Sequence, residues 1–396
     1  MVSNEQLKQL LETEEPKVRQ WHRWFHEHPE LSLNEKHTSE KVREAVEELG
    51  LSWEQVGEYG LLVRMDGKGP GKTILLRADM DALPVSESEE NLKGKKAFVS
   101  QNPGVSHACG HDAHIAMLLA AMEILWKLRS QWEGTVLFAF EQAEENGGGI
   151  FKMLDALKAY SIDTCYGTHV YAGLESGKLS VQPGERMAAL TAFTIRVKGK
   201  GGHASRPDLT VNPLMCAANI LVNLNSVWTG ELDPTKTVTL GIGSMHSGEK
   251  GNVIADDAVF SGSMRYYDVE EGKKAFAALK RVCEGVAQAH RCQIEYDRIL
   301  DSPYAVYNDP ACAVLAQKGI KDLLGEDSVG YCEPWFATES MALYLDHYPG
   351  VFAFLGIRDP ERGYGAGHHT REFDLDPAVL IKGVAACVKY TIDFLT

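Results

Sequence analysis

The segment HACGHDAH, from residue 107 to residue 114, carries the densest set of side chains that could bind a metal. Cys109 and His111 are two residues apart in it, where a strand-like turn meets a predicted helix. Alternation directs both side chains to the same side, and a thiolate with an imidazole is a ligand set for a transition metal. A capped, solvated helix start is the alternative interpretation of the same residues.

A second candidate is the pair of adjacent carboxylates in the segment FEQAEENGGG, where Glu144 and Glu145 follow a predicted buried strand. Two neighbouring carboxylates repel each other unless a cation or a shared proton lies at the site. Taken alone, the segment could equally be a solvated acidic loop.

Three further histidines favour the metal interpretation. His169 closes the apolar strand TCYGTHV, and His368 and His369 lie in the glycine-rich loop GYGAGHH. In open α/β sheets, sites form outside the carboxyl ends of strands, where Cys109, Glu145 and His169 are expected to meet. A thiolate, imidazoles and a carboxylate suit zinc, cobalt, nickel or manganese better than magnesium or calcium.

Two other motifs are incomplete. His22 and His26 have helical spacing, but the sequence HRWFH lacks the glutamate of HExxH, so core or surface helix positions are expected. The turn DGKGPGK matches the end of a phosphate-binding loop, but Asp66 stands where the first glycine is required and a strand follows. We interpret it as a hairpin turn, which argues against a nucleotide-binding protein.

These residues need a framework, and the first part of the chain alternates predicted helices and strands. Residues 4–49 predict two helices, and residues 113–128 predict a third with Asp112 placed to cap it. Residues 135–140 and 165–170 are apolar runs typical of buried strands. This order indicates an α/β fold with a mostly parallel sheet covered on both faces.

The pattern then changes to strands with polar alternation and two helices, near residues 213–228 and 269–290. Their β-α-β-β-α-β order fits a small ferredoxin-like antiparallel sheet with helices on one face. Because helix and strand alternation resumes afterwards, we predict an insertion. The catalytic domain comprises residues 1–187 and 300–396, and residues 188–299 form a smaller α+β domain.

Composition narrows the class of partner. The chain has 396 residues, of which 44% are hydrophobic and 24% charged, with a formal net charge of −15. That charge repels phosphate backbones and anionic membranes, so neither nucleic acid nor a membrane is an expected partner. The amino terminus lacks a secretion signal, and the apolar stretch from Ile115 to Trp126 is too short to cross a bilayer. We expect a cytoplasmic protein.

Seven motifs, taken together, resemble one family: HEHPELSLNE, LLRADMDALPV, HACGHDAH, AEENGGG, GTHVY, GKGGHASRP and GHHTREFD. Their type and order are similar to those of the metal-dependent amidohydrolases that include hippurate hydrolase, N-acyl-amino-acid deacylases and plant indoleacetyl-amino-acid hydrolases. The resemblance covers nearly the whole chain. It implies that the inserted domain is a lid and dimerisation domain and that the protein is a homodimer or a higher homo-oligomer.

The resemblance also implies two divalent transition metals, drawn from Zn, Mn, Co and Ni, and five ligands. These ligands are Cys109, His111, Glu145, His169 and His369. Cys109 is expected to bridge the two ions. His369 is preferred over His368 because the family's ligand lies four residues before the phenylalanine of its last motif, here Phe373.

Other roles are carried over in the same way. Glu144 matches the general base, and Asp81 matches an aspartate that supports the metal site. His203 matches a histidine that reaches an active site across the dimer, and Asn252 and Arg265 match positions that hold the substrate carboxylate. For these last three residues, a purely structural role is the alternative.

Three stretches depart from the family pattern without removing a ligand or the base. FEQAEE, with Glu141 and Gln142, replaces FQPAEE; Thr370 and Arg371 follow His369 where proline is usual; Glu339, Ser340 and Met341 replace Glu-Asp-Phe. These departures leave the identity of the substrate open.

The predicted function is hydrolysis of the amide bond of a small N-acyl amino acid. Paired cations make hydroxide available near pH 7, and Glu144 transfers the proton to the leaving amine. A dipeptidase or carboxypeptidase of the same fold is the first alternative. A catalytically silent metal-binding scaffold is another, and the intact Glu144 argues against it.

Overall fold

The computed structural model describes residues 2–396, which form two compact units. The first comprises the described residues up to Arg186 together with Tyr307–Glu333 and Ser340–Thr396, and the second comprises Met187–Val306 and Pro334–Glu339. The domain boundaries expected from the sequence, after residues 187 and 299, remain predictions.

The helices and strands have the following bounds. The helices are α1 (Asn4–Glu27), α2 (Lys36–Glu48), α3 (His111–Lys127), α4 (Ile150–Leu157), α5 (Pro213–Gly230), α6 (Val269–Ala289), α7 (Pro310–Leu324), α8 (Met341–His347) and α9 (Leu380–Leu395). The strands are β1 (Trp53–Val56), β2 (Gly60–Asp66), β3 (Thr73–Asp79), β4 (Thr135–Glu141), β5 (Thr164–Glu175), β6 (Leu179–Ser180), β7 (Gly184–Met187), β8 (Ala189–Lys198), β9 (Gly202–His203), β10 (Val238–His246), β11 (Val253–Ile254), β12 (Asp257–Tyr266), β13 (Gln293–Ser302), β14 (Val306–Asn308) and β15 (Gly350–Arg358).

The first unit is built on a seven-stranded sheet with the order β1-β2-β4-β3-β5-β15-β6. Its central strands β4, β3, β5 and β15 are parallel, and the outer strands pair antiparallel. Nearly every residue of β3, β4 and β15 is buried. Because successive strand residues face opposite sides, both faces of the sheet are covered. The mostly parallel α/β sheet predicted from the sequence is confirmed.

Helix α3 crosses this core and is buried around its whole circumference from His111 to Leu125. It begins at Gly110, whose φ of 94° is left-handed and whose added Cβ would lie 2.3 Å from Val170 Cγ2. The prediction that Asp112 caps the helix was wrong. Asp112 lies inside the first turn, and its carboxylate contacts His22 and His26 of α1.

The turn after β2 is not a hairpin turn, contrary to the prediction. Strand β4 lies between β2 and β3, pairing antiparallel with β2 and parallel with β3. Gly71 packs against the backbone that enters β4, where an added Cβ would lie 2.8 Å from Gly134 N. The sequence could not show this arrangement because the intervening strand comes much later in the chain.

The second unit contains an antiparallel sheet with the order β10-β12-β8-β13. Helices α5 and α6 pack against it, and β8 alternates buried and half-buried residues. A single apolar face therefore lies beneath the two helices. The strand order is that of a ferredoxin-like fold, so the predicted smaller α+β sheet is confirmed. Among the described residues, no helix is both long and apolar enough to span a bilayer.

Candidate metal centre

The candidate centre lies where the parallel strands bring polar side chains to one edge of the first unit's sheet. Asp81 follows β3 and Glu144 follows β4, while His169 lies within β5, which continues to Glu175. In the registers of these strands, Arg77 is level with both Ala139 and Gly167. Two positions further along these strands are Asp79, Glu141 and His169. These residues therefore lie near the carboxyl ends of their strands and on one face of the sheet.

The five predicted ligands come together in the structure. Cys109 Sγ lies 3.6 Å from His169 Nε2, and the ligand atoms of Cys109, His111 and His169 all lie within 4.8 Å of one another. The ligand atoms of Cys109, Glu145 and His369 satisfy the same limit. Cys109 belongs to both groups, which is the arrangement a bridging ligand requires.

Distances and unsatisfied atoms both fit a divalent metal. Glu145 Oε1 lies 3.7 Å from His111 Nε2 and 3.5 Å from His369 Nε2. Neighbouring ligands of a tetrahedral zinc ion are separated by about 3.3–3.8 Å, given zinc bonds of about 2.0–2.3 Å. Among the described residues, His111 Nε2 and Glu145 Oε1 are buried without a hydrogen-bond partner. A bound cation would satisfy both atoms.

The second nitrogen of each buried histidine is already fixed. His111 Nδ1 lies 3.3 Å from Asp81 Oδ1, and His169 Nδ1 lies 2.6 Å from the carbonyl oxygen of Val170. Each contact orients the ring and leaves Nε2 directed at the cluster. The two histidines are thus set up as Nε2 ligands.

Asp81 also holds the loop that carries the paired carboxylates. It accepts hydrogen bonds from the amides of Glu144 at 3.0 Å and Glu145 at 3.1 Å. Just before them, Ala143 has a left-handed φ of 54°, and its amide donates to Glu35 Oε1 at 2.6 Å. These bonds stabilise a strained turn that presents both glutamates to the ligand cluster.

Electrostatics favour a cation at this place. Burial raises the pKa of the Cys109 thiol well above its usual value and lowers that of His169 well below it. Burial also acts to lower the pKa of His111, but Asp79 and Asp81 outweigh it and raise that pKa. The carboxylates thus favour positive charge at His111, and a divalent cation can supply that charge.

Glu144 lies beside the ligands and is itself held in place. Its carboxylate belongs to a group with His111 and Glu145 whose ligand atoms lie within 4.8 Å of one another. Glu144 Oε1 accepts a hydrogen bond from the amide of Ser340 at 2.8 Å. The carboxylate can therefore reach a water molecule in the centre without a large movement.

The two histidines of the carboxyl-terminal loop have different surroundings. His368 Nε2 accepts a hydrogen bond from the amide of Ala172 at 3.2 Å. His369 has a left-handed φ of 63°, its amide donates to the carbonyl of Ala108, and its side chain lies beside Glu145. The geometry thus brings His369 to the cluster, in keeping with the preference from the sequence.

The remaining candidates lie in the second unit. Strands β9 and β11 pair with His203 opposite Val253, and the amide of Ala204 donates to the carbonyl of Asn252, so His203 and Asn252 are neighbours. The amide of Ser205 donates to His203 Nδ1 at 3.1 Å. In a neutral ring the proton is therefore on Nε2, which makes this atom a donor.

Arg265 lies on β12, half-buried. Burial lowers the pKa of its guanidinium, and no carboxylate of the described residues lies within ion-pair distance of it. The contact found for its side chain is NH1 to the carbonyl oxygen of Met264 at 3.4 Å. A poorly hydrated guanidinium of this kind is suited to an anionic group.

Two residues that support the centre were missed from the sequence. Asp79 Oδ1 lies 2.6 Å from His114 Nδ1, and His114 Nε2 accepts a hydrogen bond from the amide of Val170 at 3.0 Å. A signal was present, because Arg77, Asp79 and Asp81 occupy alternate positions and face one side. His114 also lies in the same motif as Cys109.

His22 and His26 form a second buried cluster next to α3. His26 Nδ1 lies 2.7 Å from Asp112 Oδ2, and His26 Nε2 lies 2.9 Å from Glu87 Oε1. His22 Nε2 lies 3.2 Å from the same Asp112 oxygen. These are core positions, one of the two expected environments, with charged partners that the helical spacing did not reveal.

Comparison with known proteins gives a consistent result. The profile of peptidase family M20/M25/M40 matches residues 75–392. Thermostable carboxypeptidase 2 of Saccharolobus solfataricus is 34% identical over 394 residues, which span 98% of each chain. N-acetylcysteine deacetylase of Bacillus subtilis is 33% identical over 363 residues, covering 90% of this chain and 91% of that protein.

A solved structure of the same family has a similar fold. A dinuclear metal-binding peptidase of the M20 family from Bacillus subtilis has a TM-score of 0.83 and 28% identity, covering 97% of this chain and 99% of that chain. The resemblance found in the sequence motifs is therefore confirmed along nearly the full length. Since the family profile spans most of the chain and relatives above 30% identity cover it, the protein belongs to peptidase family M20/M25/M40.

Proposed function

We propose that the protein is a two-metal hydrolase that cleaves the amide bond of N-acyl amino acids. The observation that carries this proposal is the position of the Glu144 carboxylate. The Ser340 amide holds it beside the predicted metal ligands, which form two groups with Cys109 in common. A proton acceptor next to a metal site is the arrangement that amide hydrolysis with water requires. The deacetylase from Bacillus subtilis supports the substrate class.

The residues of this chain divide the work between them. Cys109, His111, Glu145, His169 and His369 would hold two divalent ions, which when bound lower the pKa of a water molecule and polarise the substrate carbonyl. Glu144 accepts the proton of the attacking water and delivers it to the nitrogen of the leaving amine. Asp81 keeps His111 oriented and fixes the amides of the turn that carries Glu144.

Three further residues contact the substrate in this proposal. Arg265 and Asn252 bind the carboxylate of the amino acid, a role supported by the half-buried guanidinium that lacks a carboxylate partner among the described residues. In the homodimer proposed below, His203 of the partner subunit donates a hydrogen bond from Nε2 to the oxyanion that develops at the carbonyl. The Ser205 amide donates a hydrogen bond to His203 Nδ1, which supports a proton on Nε2.

A carboxypeptidase or dipeptidase is the second candidate. The relative from Saccharolobus solfataricus bears a carboxypeptidase name and matches 98% of this chain. The two candidates share the free carboxylate of the substrate and differ in the acyl group, which is a simple acid in one case and an aminoacyl or peptidyl group in the other.

A substrate panel separates these functions. The metal-loaded protein is assayed against N-acetyl, N-benzoyl and dipeptide derivatives that share one carboxyl-terminal amino acid. The proposal predicts a larger kcat/KM for the N-acyl compounds than for the dipeptide. The reverse order assigns the protein to the peptidases, and no turnover of any compound by protein with a full metal content indicates a silent scaffold.

We also propose that the second unit is a dimerisation domain and that the protein forms a homodimer. Strand β10 is an edge strand of its sheet, and α5 exposes Leu214, Met215 and Val222. An unpaired strand edge and exposed apolar side chains are each typical of association surfaces. Light scattering should give the mass of a dimer, and Val222→Glu should shift it towards the monomer.

The metals and the location belong to the same proposal. The donor set of one thiolate, one carboxylate and three imidazoles supports Zn, Mn, Co or Ni. Metal analysis of protein purified without chelators identifies the ions that it retains.

A cytoplasmic location is supported by the cysteines, since all eight are free thiols, as is usual in a reducing compartment.

A further inference from the structure

A buried network of charges lies behind Glu144, centred on the guanidinium of Arg77. Its NH1 donates to Asp79 Oδ2 at 2.7 Å, its Nε to Glu141 Oε2 at 2.9 Å, and its NH2 to Ser340 Oγ at 2.7 Å. All four of these side chains are buried. The guanidinium therefore links β3, the end of β4 and the start of α8.

Ser340 connects this network to the catalytic carboxylate. Its hydroxyl donates to Glu141 Oε1 at 2.9 Å, and its amide donates to Glu144 Oε1 at 2.8 Å. Tyr344, one turn further along α8, donates to Glu141 Oε2 at 2.9 Å. The contact between Ser340 and Glu141 is thus one of the contacts that fix Ser340, whose amide in turn holds the Glu144 carboxylate.

The two residues in that contact are both departures from the family pattern. The family that the motifs resemble has glutamine and aspartate at these two positions, whereas this chain has Glu141 and Ser340. The structure shows that these positions touch. In this chain Glu141 is the charged member of the contact and Ser340 the neutral one, so the pair offers a single negative charge to Arg77.

We propose that Glu141 and Ser340 are positioning residues that act as an exchangeable pair and, through Arg77, hold the Ser340 amide against Glu144. The inference rests on the proposed role of Glu144 as the general base. It predicts that each member can be replaced by its family counterpart only when the other is replaced as well.

Single replacements disturb the network in opposite ways. Glu141→Gln leaves Arg77 with one carboxylate fewer, and the new amide group directs a donor at Arg77 or at Ser340. Ser340→Asp places a second carboxylate against Glu141 and close to Glu144, where like charges repel. The double variant contains one carboxylate and one neutral partner, as the original pair does.

The test is a double-mutant cycle on the metal-loaded protein with an N-acetyl amino acid as the substrate. Each single variant should lower kcat by about 10-fold or more, with KM within about 2-fold, and the double variant should recover to within about 3-fold, a range typical of coupled neighbours. Metal content should stay unchanged in all three variants. Tyr390→Phe is the control for a buried hydroxyl, here bonded to Thr164, and it should lower the melting temperature without changing kcat.

Two results would overturn the inference: a loss in the double variant equal to the product of the single losses, or losses of kcat that follow metal content or melting temperature.

If Ser340→Asp does not fold, Ser340→Ala and Ser340→Thr replace it. The alanine variant should lower kcat several-fold and the threonine variant should restore it, whereas equal activities would contradict the role. Glu144→Gln is measured in parallel, and its full activity would refute the general base itself rather than the pair alone.

Discussion

Asp81 Oδ1 lies 3.3 Å from Nδ1 of His111, so the second nitrogen of that histidine is directed at the ligand cluster. Asp81 also accepts hydrogen bonds from the amides of Glu144 and Glu145. One carboxylate therefore positions two predicted ligands, His111 at the start of α3 and Glu145 in the turn after β4.

Asp81→Asn should weaken metal binding while the fold remains intact. An asparagine offers one oxygen instead of two and directs a donor at His111 or at the turn, so the ligands lose their fixed orientation. The expected loss of metal affinity is about 10- to 100-fold, as for other residues that orient ligands. Competition with a chelator measures it, and Asp155→Asn, exposed on α4, is the control. Unchanged affinity would remove Asp81 from the metal site.

Glu144→Gln should keep the metals and lose turnover, because it removes the proton carrier and leaves the predicted ligands in place. The expected decrease in kcat is about 10²- to 10⁴-fold, as is typical for a general base. Glu145→Gln is the matched comparison on the neighbouring residue, and it should lose metal as well as activity. Near-normal turnover of Glu144→Gln would show that another group accepts the proton.

Arg265→Met should raise KM with a smaller effect on kcat, because the substrate carboxylate loses its charged partner in the ground state and the transition state alike. The loss of one charge-assisted hydrogen bond corresponds to a KM increase of about 10- to 100-fold. An amidated substrate, which lacks the carboxylate, should be affected little by the substitution. Equal losses for both substrates would indicate a structural role for Arg265.

The free energy of unfolding should depend on pH through His26. Burial acts to lower the pKa of its ring, but Asp112 and Glu87 outweigh it and raise that pKa to about 10. In the unfolded chain the pKa is about 6.5. The stabilisation is therefore complete below about pH 6.5 and is lost as the pH rises towards 10.

Denaturant unfolding of the protein and of His26→Gln, measured across this range, tests the effect. The difference in unfolding free energy should be largest at about pH 6.5 and below and should shrink as the pH rises towards 10. A difference that stays constant with pH would mean that His26 does not carry the predicted charge.

The sequence was most informative where local periodicity and motif chemistry agree. The mostly parallel sheet and the ferredoxin-like insertion could be expected from the order of elements, and the family resemblance of the motifs implied the five residues that cluster. His369 could be separated from His368 because the motif provided a reference residue, Phe373.

Contacts between distant segments could not be predicted in this way. The insertion of β4 between β2 and β3 depends on pairing over a long sequence separation, which a turn sequence does not encode. The ion pairs of Asp112 with α1 were missed because an aspartate at a helix start is usually a cap. The contact between Glu141 and Ser340 joins two departures that had seemed unrelated in the sequence.

Metal stoichiometry tests the central claim, that five ligands including a shared cysteine hold two ions. The protein is loaded with zinc or manganese, freed of excess metal, and analysed by elemental mass spectrometry alongside Cys109→Ala and Cys165→Ala, the latter a buried cysteine elsewhere in the core. We predict two ions per chain for the protein and for Cys165→Ala, and fewer for Cys109→Ala with a parallel loss of activity. Two ions retained by Cys109→Ala, or one ion or none in the unaltered protein, would contradict the account.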